Sequence, residues 1–357
     1  MSMSSEVVGT RCIECQRAYQ PTPVEPHRCV CGGPLDLEGY PTQIPDVHSA
    51  VSTLWDYADA LPPGPIVDLG AGGTPTIEFE PIGATLKLEQ CNPTGSFKDR
   101  GAAILASRAK ALGVERLVDD SSGNAGRAIA AHAARAGIAA TIYVPATVDR
   151  FTVEAIQATG SDVQPIDGDR TAVTRACLKA DDGWYASHAW RPSFFAGTAT
   201  FAWELIAEFG ERPPEVLVCP VGHGTLLCGA FLGFRQLKQA GVIETIPRLV
   251  AAQPAWGGSL LAIEDTQPPA DMAPGVRIDE PARAAQVREA IDATDGEVLA
   301  IDREAIETAH TQLLRAGIDA CSTAALAPAG VTALRQANAI DEETVVVAPI
   351  TGRARHR

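Results

Sequence analysis

The stretch ATLKLEQCNPTGSFKDRGAAILASRAKALGVERLVDDSSGNAGRAIAAHAARAGIAATIYV, residues 84–144, alternates short apolar runs with longer segments of helical period. Residues 84–88 read as a strand, 101–112 as a helix, 116–119 as a strand and 125–136 as a helix closed by Gly137, ahead of a strand at 140–144. The series continues with a helix over 148–159 ending at Gly160 and a strand at 162–166. Later strands are expected at 215–219, 249–253 and 344–348. Alternation of this kind predicts an α/β fold with parallel sheets covered by helices on both faces. Ligands in such folds sit beyond the carboxyl ends of the strands, so chemistry belongs to the loops there.

Three loops stand out. The first, Asn92-Pro93-Thr94-Gly95-Ser96-Phe97-Lys98-Asp99-Arg100, opens a helix. Lys98 is one of only five lysines, and the helix N-terminus and neighbouring Arg100 oppose a second positive charge there. That setting lowers the pKa of an amine and favours the neutral nucleophile that a Schiff base needs. A plain surface lysine near a helix start fits the same spacing. The second loop is Ser121-Ser122-Gly123-Asn124-Ala125-Gly126. Its small residues let backbone amides approach an anion such as a carboxylate, and Asn124 adds a side-chain donor for a phenolate oxygen. A simple helix cap by Ser122 or Asn124 is the competing reading. The third, Gly222-His223-Gly224-Thr225, precedes a helix over 226–237 and forms a nest for a phosphate group. It lacks the G-x-G-x-x-G and G-x-x-x-x-G-K-[ST] spacings, so the phosphate belongs to something smaller than a dinucleotide or a nucleoside triphosphate. Such a nest uses backbone amides, which leaves His223 as an occupant of the loop.

Composition bounds the rest. The 357 residues are 46% hydrophobic and 20% charged, an ordinary globular balance, and the formal charge is −15. A negative shell repels phosphate backbones and anionic lipid, which argues against nucleic acid and membrane surfaces as partners. No run of 18 apolar residues occurs, and residues 1–10 carry neither a basic flank nor an apolar stretch, so a cytoplasmic protein is expected. Few lysines and many carboxylates also suit a surface that stays hydrated in concentrated salt. On that hypothesis the thermal midpoint rises with added KCl, and unchanged or falling stability would contradict it.

Nine cysteines in a cytosolic chain are not expected to pair as disulfides. Cys12 and Cys15 form a C-x2-C, and Cys29 and Cys31 a C-x-C leading into Gly32, Gly33 and Pro34. Two such knuckles bring four thiolates together, which suits a structural, tetrahedral Zn2+ with no open position. Metal binding would supply the folding energy of so small a segment, and a zinc ribbon is expected over 10–40. The second knuckle is one residue short of C-x2-C, and His27 lies close enough to substitute for a Cys. The other five, Cys91, Cys177, Cys219, Cys228 and Cys321, are expected as small core residues.

A reactive lysine, an Asn-bearing loop and a separate phosphate nest in this order resemble the pyridoxal-phosphate enzymes of the tryptophan synthase β family, and within it the threonine synthases. Residues 92–101, NPTGSFKDRG, look like their lysine motif, and Leu69-Gly70 with Gly73-Thr74-Pro75 resembles their LGEGNTP segment. Ser122-Gly123-Asn124 resembles their asparagine loop, and a Cys ribbon ending in CGGPL is similar to that of many archaeal and bacterial members.

The resemblance implies fold type II, with two parallel-sheet three-layer domains behind the ribbon. The large domain would span 41–101 and 196–357, the small inserted one 102–195, and a homodimer is usual. It implies that Lys98 holds pyridoxal 5'-phosphate covalently and shuttles protons, that Asn124 hydrogen-bonds the ring hydroxyl, and that Gly222, His223, Gly224 and Thr225 surround the phosphate. Thr351, in Ile350-Thr351-Gly352, would face the pyridine nitrogen, a neutral partner that suits elimination and replacement chemistry. Ser121, Ser122, Gly123 and Arg127 would hold a small, phosphorylated amino-acid substrate, with Arg100 and Arg150 further candidates for its anionic tail. The implied reaction converts O-phosphohomoserine and water to threonine and phosphate.

Departures from the family pattern keep other readings open. Threonine synthases usually carry Thr after the Ser-Gly-Asn, whereas Ala125-Gly126-Arg127 is nearer to serine or threonine dehydratases and cysteate synthase. Cys321-Ser322 replaces a common Glu-Pro, and the tail Arg353-Ala354-Arg355-His356-Arg357 lacks the usual Lys. A β-elimination or β-replacement enzyme is one alternative. A non-catalytic regulator that keeps the fold and uses its ribbon for interactions is another.

Overall fold

The computed structural model describes residues 7–40, 43, 45–180, 182–210, 212–256, 260, 272–278 and 280–354. Residues 1–6 and the last three residues of the basic tail lie outside that set. Near the N-terminus Cys12, Cys29 and Leu35 form a small buried cluster with Tyr19 packed against it. Three short antiparallel strands close around them: β1 (Thr10–Cys12), β2 (Ala18–Tyr19) and β3 (Leu35–Leu37), in the order β2-β1-β3.

The strand and helix alternation then follows. β4 (Thr76–Phe79) turns at Gly83, whose φ of +59° a glycine adopts without strain, into β5 (Ala84–Lys87). All four residues of β5 are buried, the pattern of a strand covered on both faces. The chain continues through α1 (Lys98–Ala111), β6 (Arg116–Asp119), α2 (Asn124–Ala136), β7 (Ala139–Pro145), α3 (Arg150–Gln157), β8 (Asp162–Ile166), α4 (Arg170–Ala180) and β9 (Trp184–Tyr185). It proceeds through α5 (Pro192–Phe209), β10 (Val216–Pro220), α6 (Thr225–Gln239) and β11 (Arg248–Pro254). It ends with α7 (Ala284–Asp292), β12 (Glu297–Ile301), α8 (Arg303–Arg315), α9 (Leu326–Gln336) and β13 (Val346–Pro349).

Two larger sheets result. One has the order β8-β7-β6-β9 and is parallel throughout; the other has the order β12-β11-β10-β13-β5-β4. The expectation of wholly parallel sheets is corrected at one edge, where β4 runs antiparallel to β5. Only a tight turn over residues 80–83 joins them, and a parallel pairing would need a crossover of a dozen or more residues.

Helices α1 and α5 pack on each other and contribute side chains to two of the hydrophobic cores. Ala102, Ala103, Ile104 and Leu105 of α1 are all buried, and α5 is buried along nearly its whole length, with Phe201 and Trp203 fully enclosed. A fully buried side chain of that size contributes roughly 1.5–3 kcal/mol by leaving water. Cys177 and Cys219 are core residues as expected, but Cys228 and Cys321 are half-buried and Cys91 is exposed. Cys91 closes a short 3-10 turn whose other members, Glu89 and Gln90, take the inward positions.

Candidate active site

The strand and loop order brings the three loops to one place. Lys98 is the first residue of α1, three positions earlier than the helix expected from the sequence, and its Nζ donates to Thr225 Oγ1 at 3.1 Å. The amine lies 4.4 Å from the centroid of the Phe97 ring and 5.9 Å from that of Phe194. Burial pushes it down to about 7, with the Asp119 carboxylate pulling the other way. The reason differs from the one expected. Arg100 does not repel Lys98 into neutrality, because Arg100 is itself fully buried and neutralised by Glu89 and Glu204.

Thr225 begins α6, directly after the glycine nest. Gly224 has a φ of +78°, and a Cβ there would fall 2.2 Å from Val287 Cγ2 of α7. A Cβ on Gly222 would come 2.9 Å from Val276 Cα. No side chain fits at either position, so backbone N–H groups and the helix N-terminus face the space beside Lys98.

The asparagine loop and the C-terminal segment meet on the other side. Gly126 folds so closely under the loop that a Cβ would sit 1.8 Å from Ser121 O. Ser121 N donates to Asp119 Oδ2 and Gly123 N to Ser121 Oγ, which holds the turn ahead of Asn124. Residues 350–353 run alongside the lysine loop: Phe97 N donates to Thr351 O at 3.1 Å, Arg353 N to Gly95 O at 3.0 Å, and Ser96 bridges to Gly352. A Cβ on Gly352 would lie 2.8 Å from Asn124 Nδ2. Lys98, Asn124, Thr351 and the nest are therefore brought close together.

The arginine candidates separate. Arg127 lines a cavity of about 210 Å³ with Asp149, Phe151, Thr152 and Arg353. Arg100 is sealed from any ligand, and Arg150 is a solvated side chain paired with Glu154. Ser122, Gly123 and Asn124 are all partly exposed along the loop.

Two further groups escaped the sequence reading. Asp119, at the carboxyl end of β6, is fully buried; burial and neighbouring Asp120 push it up to about 7. His188, between β9 and α5, is buried against His223. The acidic pair at the end of a predicted strand was a visible signal for the first. Nothing local marked His188.

The donor set fits pyridoxal phosphate. Ser96 Oγ, His188 Nδ1 and His223 Nδ1 are buried beside the lysine and the nest without a protein hydrogen-bond partner, and such groups are seldom left so without a ligand. An amine near neutral pKa, a cradle no Cβ can enter and a carboxamide opposite are what an aldehyde, a phosphate and a ring hydroxyl would require.

The Sγ atoms of Cys12, Cys15, Cys29 and Cys31 lie within 4.8 Å of one another, with Cys12 and Cys31 at 3.6 Å and Cys15 and Cys29 at 3.5 Å. Four thiolates about 2.3 Å from one ion would be roughly 3.8 Å apart. His27 is not among them; its ring packs edge-on against Tyr185 and Trp190. The three-stranded unit docks through buried charge. Glu25 accepts from Arg108 of α1 at 2.9 and 2.6 Å and from Arg191, while Arg283 donates to Leu35 O and Trp190 O. The segment carrying His188 is thus gripped from both sides.

The fold and the gathered loops define a fold type II pyridoxal-phosphate enzyme. A family model described as pyridoxal-phosphate dependent enzyme matches residues 67–352, and the chain belongs to that family. It is 27% identical over 367 residues to threonine synthase of Methanosarcina acetivorans, covering 96% of this chain and 90% of that one. It is 30% identical over 310 residues to threonine synthase of Mycobacterium bovis, covering 83% and 86%. Among solved structures, maize serine racemase superposes with a TM-score of 0.68 at 21% identity over 79% of this chain and 88% of its own, which shows the shared fold. No helix among the described residues is long and apolar enough to cross a membrane.

Proposed function

We propose that the chain is a threonine synthase, a lyase acting on O-phosphohomoserine and water. One observation carries the reading: an amine brought by burial to about 7 stands at the mouth of a glycine nest. The archaeal and mycobacterial threonine synthases, matched over most of their length, supply the substrate class. When bound, pyridoxal phosphate supplies an electron sink for the substrate's α carbon. Lys98 would hold it covalently, Asn124 its ring hydroxyl, Thr351 its ring nitrogen, and the Gly222–Thr225 nest its phosphate.

The chain's own groups do the rest. Amides of the Ser121–Asn124 loop take the substrate carboxylate, and Arg127 meets its distal anion. Lys98, freed of its positive charge over much of the neutral range, removes the α proton and returns protons as the phosphate leaves and water adds. Residues 102–195 act as the inserted domain that closes over the substrate, against a large domain of 41–101 and 196–357.

The deciding assay offers O-phosphohomoserine, threonine, and phosphoserine with sulfite side by side. Equal amounts of phosphate and threonine from the first are expected. No phosphate release from it would end the reading, and turnover of either other substrate alone would move the chain to the dehydratases or to cysteate synthase.

We further propose that Cys12, Cys15, Cys29 and Cys31 hold one structural Zn2+. Elemental analysis should find about one zinc per chain. Cys29→Ser should lose the metal and lower the thermal midpoint by several degrees, since the thiolates and the Glu25 contacts are held by the same small unit. Unchanged zinc content in that variant would contradict the assignment.

A further inference from the structure

The mechanism leaves two imidazoles beside the nest without a task. His223 stands between Gly222 and Gly224, and the ring of His188, 7% exposed, meets it edge-on with centroids 5.2 Å apart. His188 also packs edge-on against Phe194, whose ring faces Lys98. The Nδ1 atoms of both are buried and make no hydrogen bond to protein. His132 also leaves its Nδ1 unpaired but seats its Nε2 on Asp99, and His310 seats its Nε2 on Ala320 O, whereas neither ring of this pair has such an anchor among the described residues. His223 instead lies within the nest that opens α6, and His188 packs on it.

We propose that His188 and His223 form a protonable pair that recognises a phosphomonoester at the nest, one imidazole taking up a proton from water as the phosphoryl group binds. The proposal rests on the pyridoxal-phosphate reading and adds a charged donor to a nest otherwise made of neutral amides. Burial and the nearby Lys98 charge push His223 down to about 4 and His188 well below its usual value. Arg170 from α4 acts in the same direction on both, and Asp120, at the end of β6, opposes it at His223. The pair is therefore neutral among these groups alone. A phosphoryl dianion brings the counter-charge that reverses the balance, and a charge-assisted hydrogen bond is roughly twice as strong as a neutral one. The dianion has two sources, the cofactor's own phosphate and the phosphate carried by the substrate.

Nitrogen NMR of the holoenzyme labelled with 15N-histidine separates them. His188→Gln and His223→Gln, made one at a time, assign the two ring signals. Should one variant not fold, the other, with the signals that respond to phosphate in the wild type, still decides. One ring carrying protons on both nitrogens at pH 7 without additions would place the cofactor phosphate on the pair. A ring that gains its second proton only when inorganic phosphate is titrated in would place the substrate's phosphoryl group there. Both rings neutral throughout, with the visible cofactor band intact, would overturn the proposal while leaving the enzyme reading standing. A preparation that binds no pyridoxal phosphate would overturn both.

Discussion

Lys98→Ala is expected to lose the covalent cofactor band and to lower product formation by at least about 10³-fold, since one group serves as both attachment point and proton carrier. Stability should move the other way. The folded-state pKa of Lys98 is about 7 against an ordinary value of 10.5, so between those limits the unfolded chain binds more protons than the folded one. In cofactor-free protein this makes stability rise with pH across that window, and the penalty is complete below it. The alanine variant should be at least as stable at neutral pH, with a shallower rise toward pH 10. Unfolding curves at several pH values check the sign. An active variant would remove Lys98 from the chemistry, and an inactive but destabilised one would leave its loss of activity explained by damage to the fold.

Arg100→Met is expected to be the most destabilising single change. Arg100 lies fully buried, donating Nε to Glu89 at 2.8 Å, Nη2 to Glu204 at 2.7 Å and Nη1 to Thr200 at 3.0 Å. Lys87, also fully buried, joins the network through Glu204 at 3.2 Å and through Glu208. Burial alone would raise Glu204, yet the charge and hydrogen bonds of Arg100, helped by Lys87, hold it at about 2. Removing Arg100 takes from buried Glu89 the cation that it pairs with and leaves Glu204 only its contact with Lys87 as an ion pair, at a cost of about 3–5 kcal/mol, or a midpoint drop on the order of 10 °C. Glu204 itself stabilises the wild type above its ordinary pKa of 4.5, and that contribution fades as pH falls toward 2. Adding Glu89→Leu and Glu204→Leu to Arg100→Met should recover much of the loss. A midpoint within a degree or two of wild type in Arg100→Met would show that the network is dispensable.

The outline of the fold was legible because its signals are local. Apolar runs at β5, β6 and β7, and glycine stops such as Gly137, mark the alternation wherever they fall in the chain. The antiparallel edge at β4 was not legible, since half of its residues are exposed and it carries no continuous apolar run. In the site, motif residues could be found because a lysine loop and a glycine nest each occupy one short segment. What could not be read was the company they keep. Arg100 looked like a repelling charge until Glu204, over a hundred residues later, was seen to neutralise it. His188 and Gly352 matter through contacts with His223 and Asn124 that no spacing in the sequence announces.

Everything functional here depends on which amine the cofactor's aldehyde takes. Reducing the holoenzyme with borohydride fixes that linkage, and mass spectrometry of its peptides reads the position. The modification should sit on Lys98 and on none of the other four lysines. A label on Lys87, Lys110, Lys179 or Lys238, or no label in protein that retains its visible band, would contradict the account.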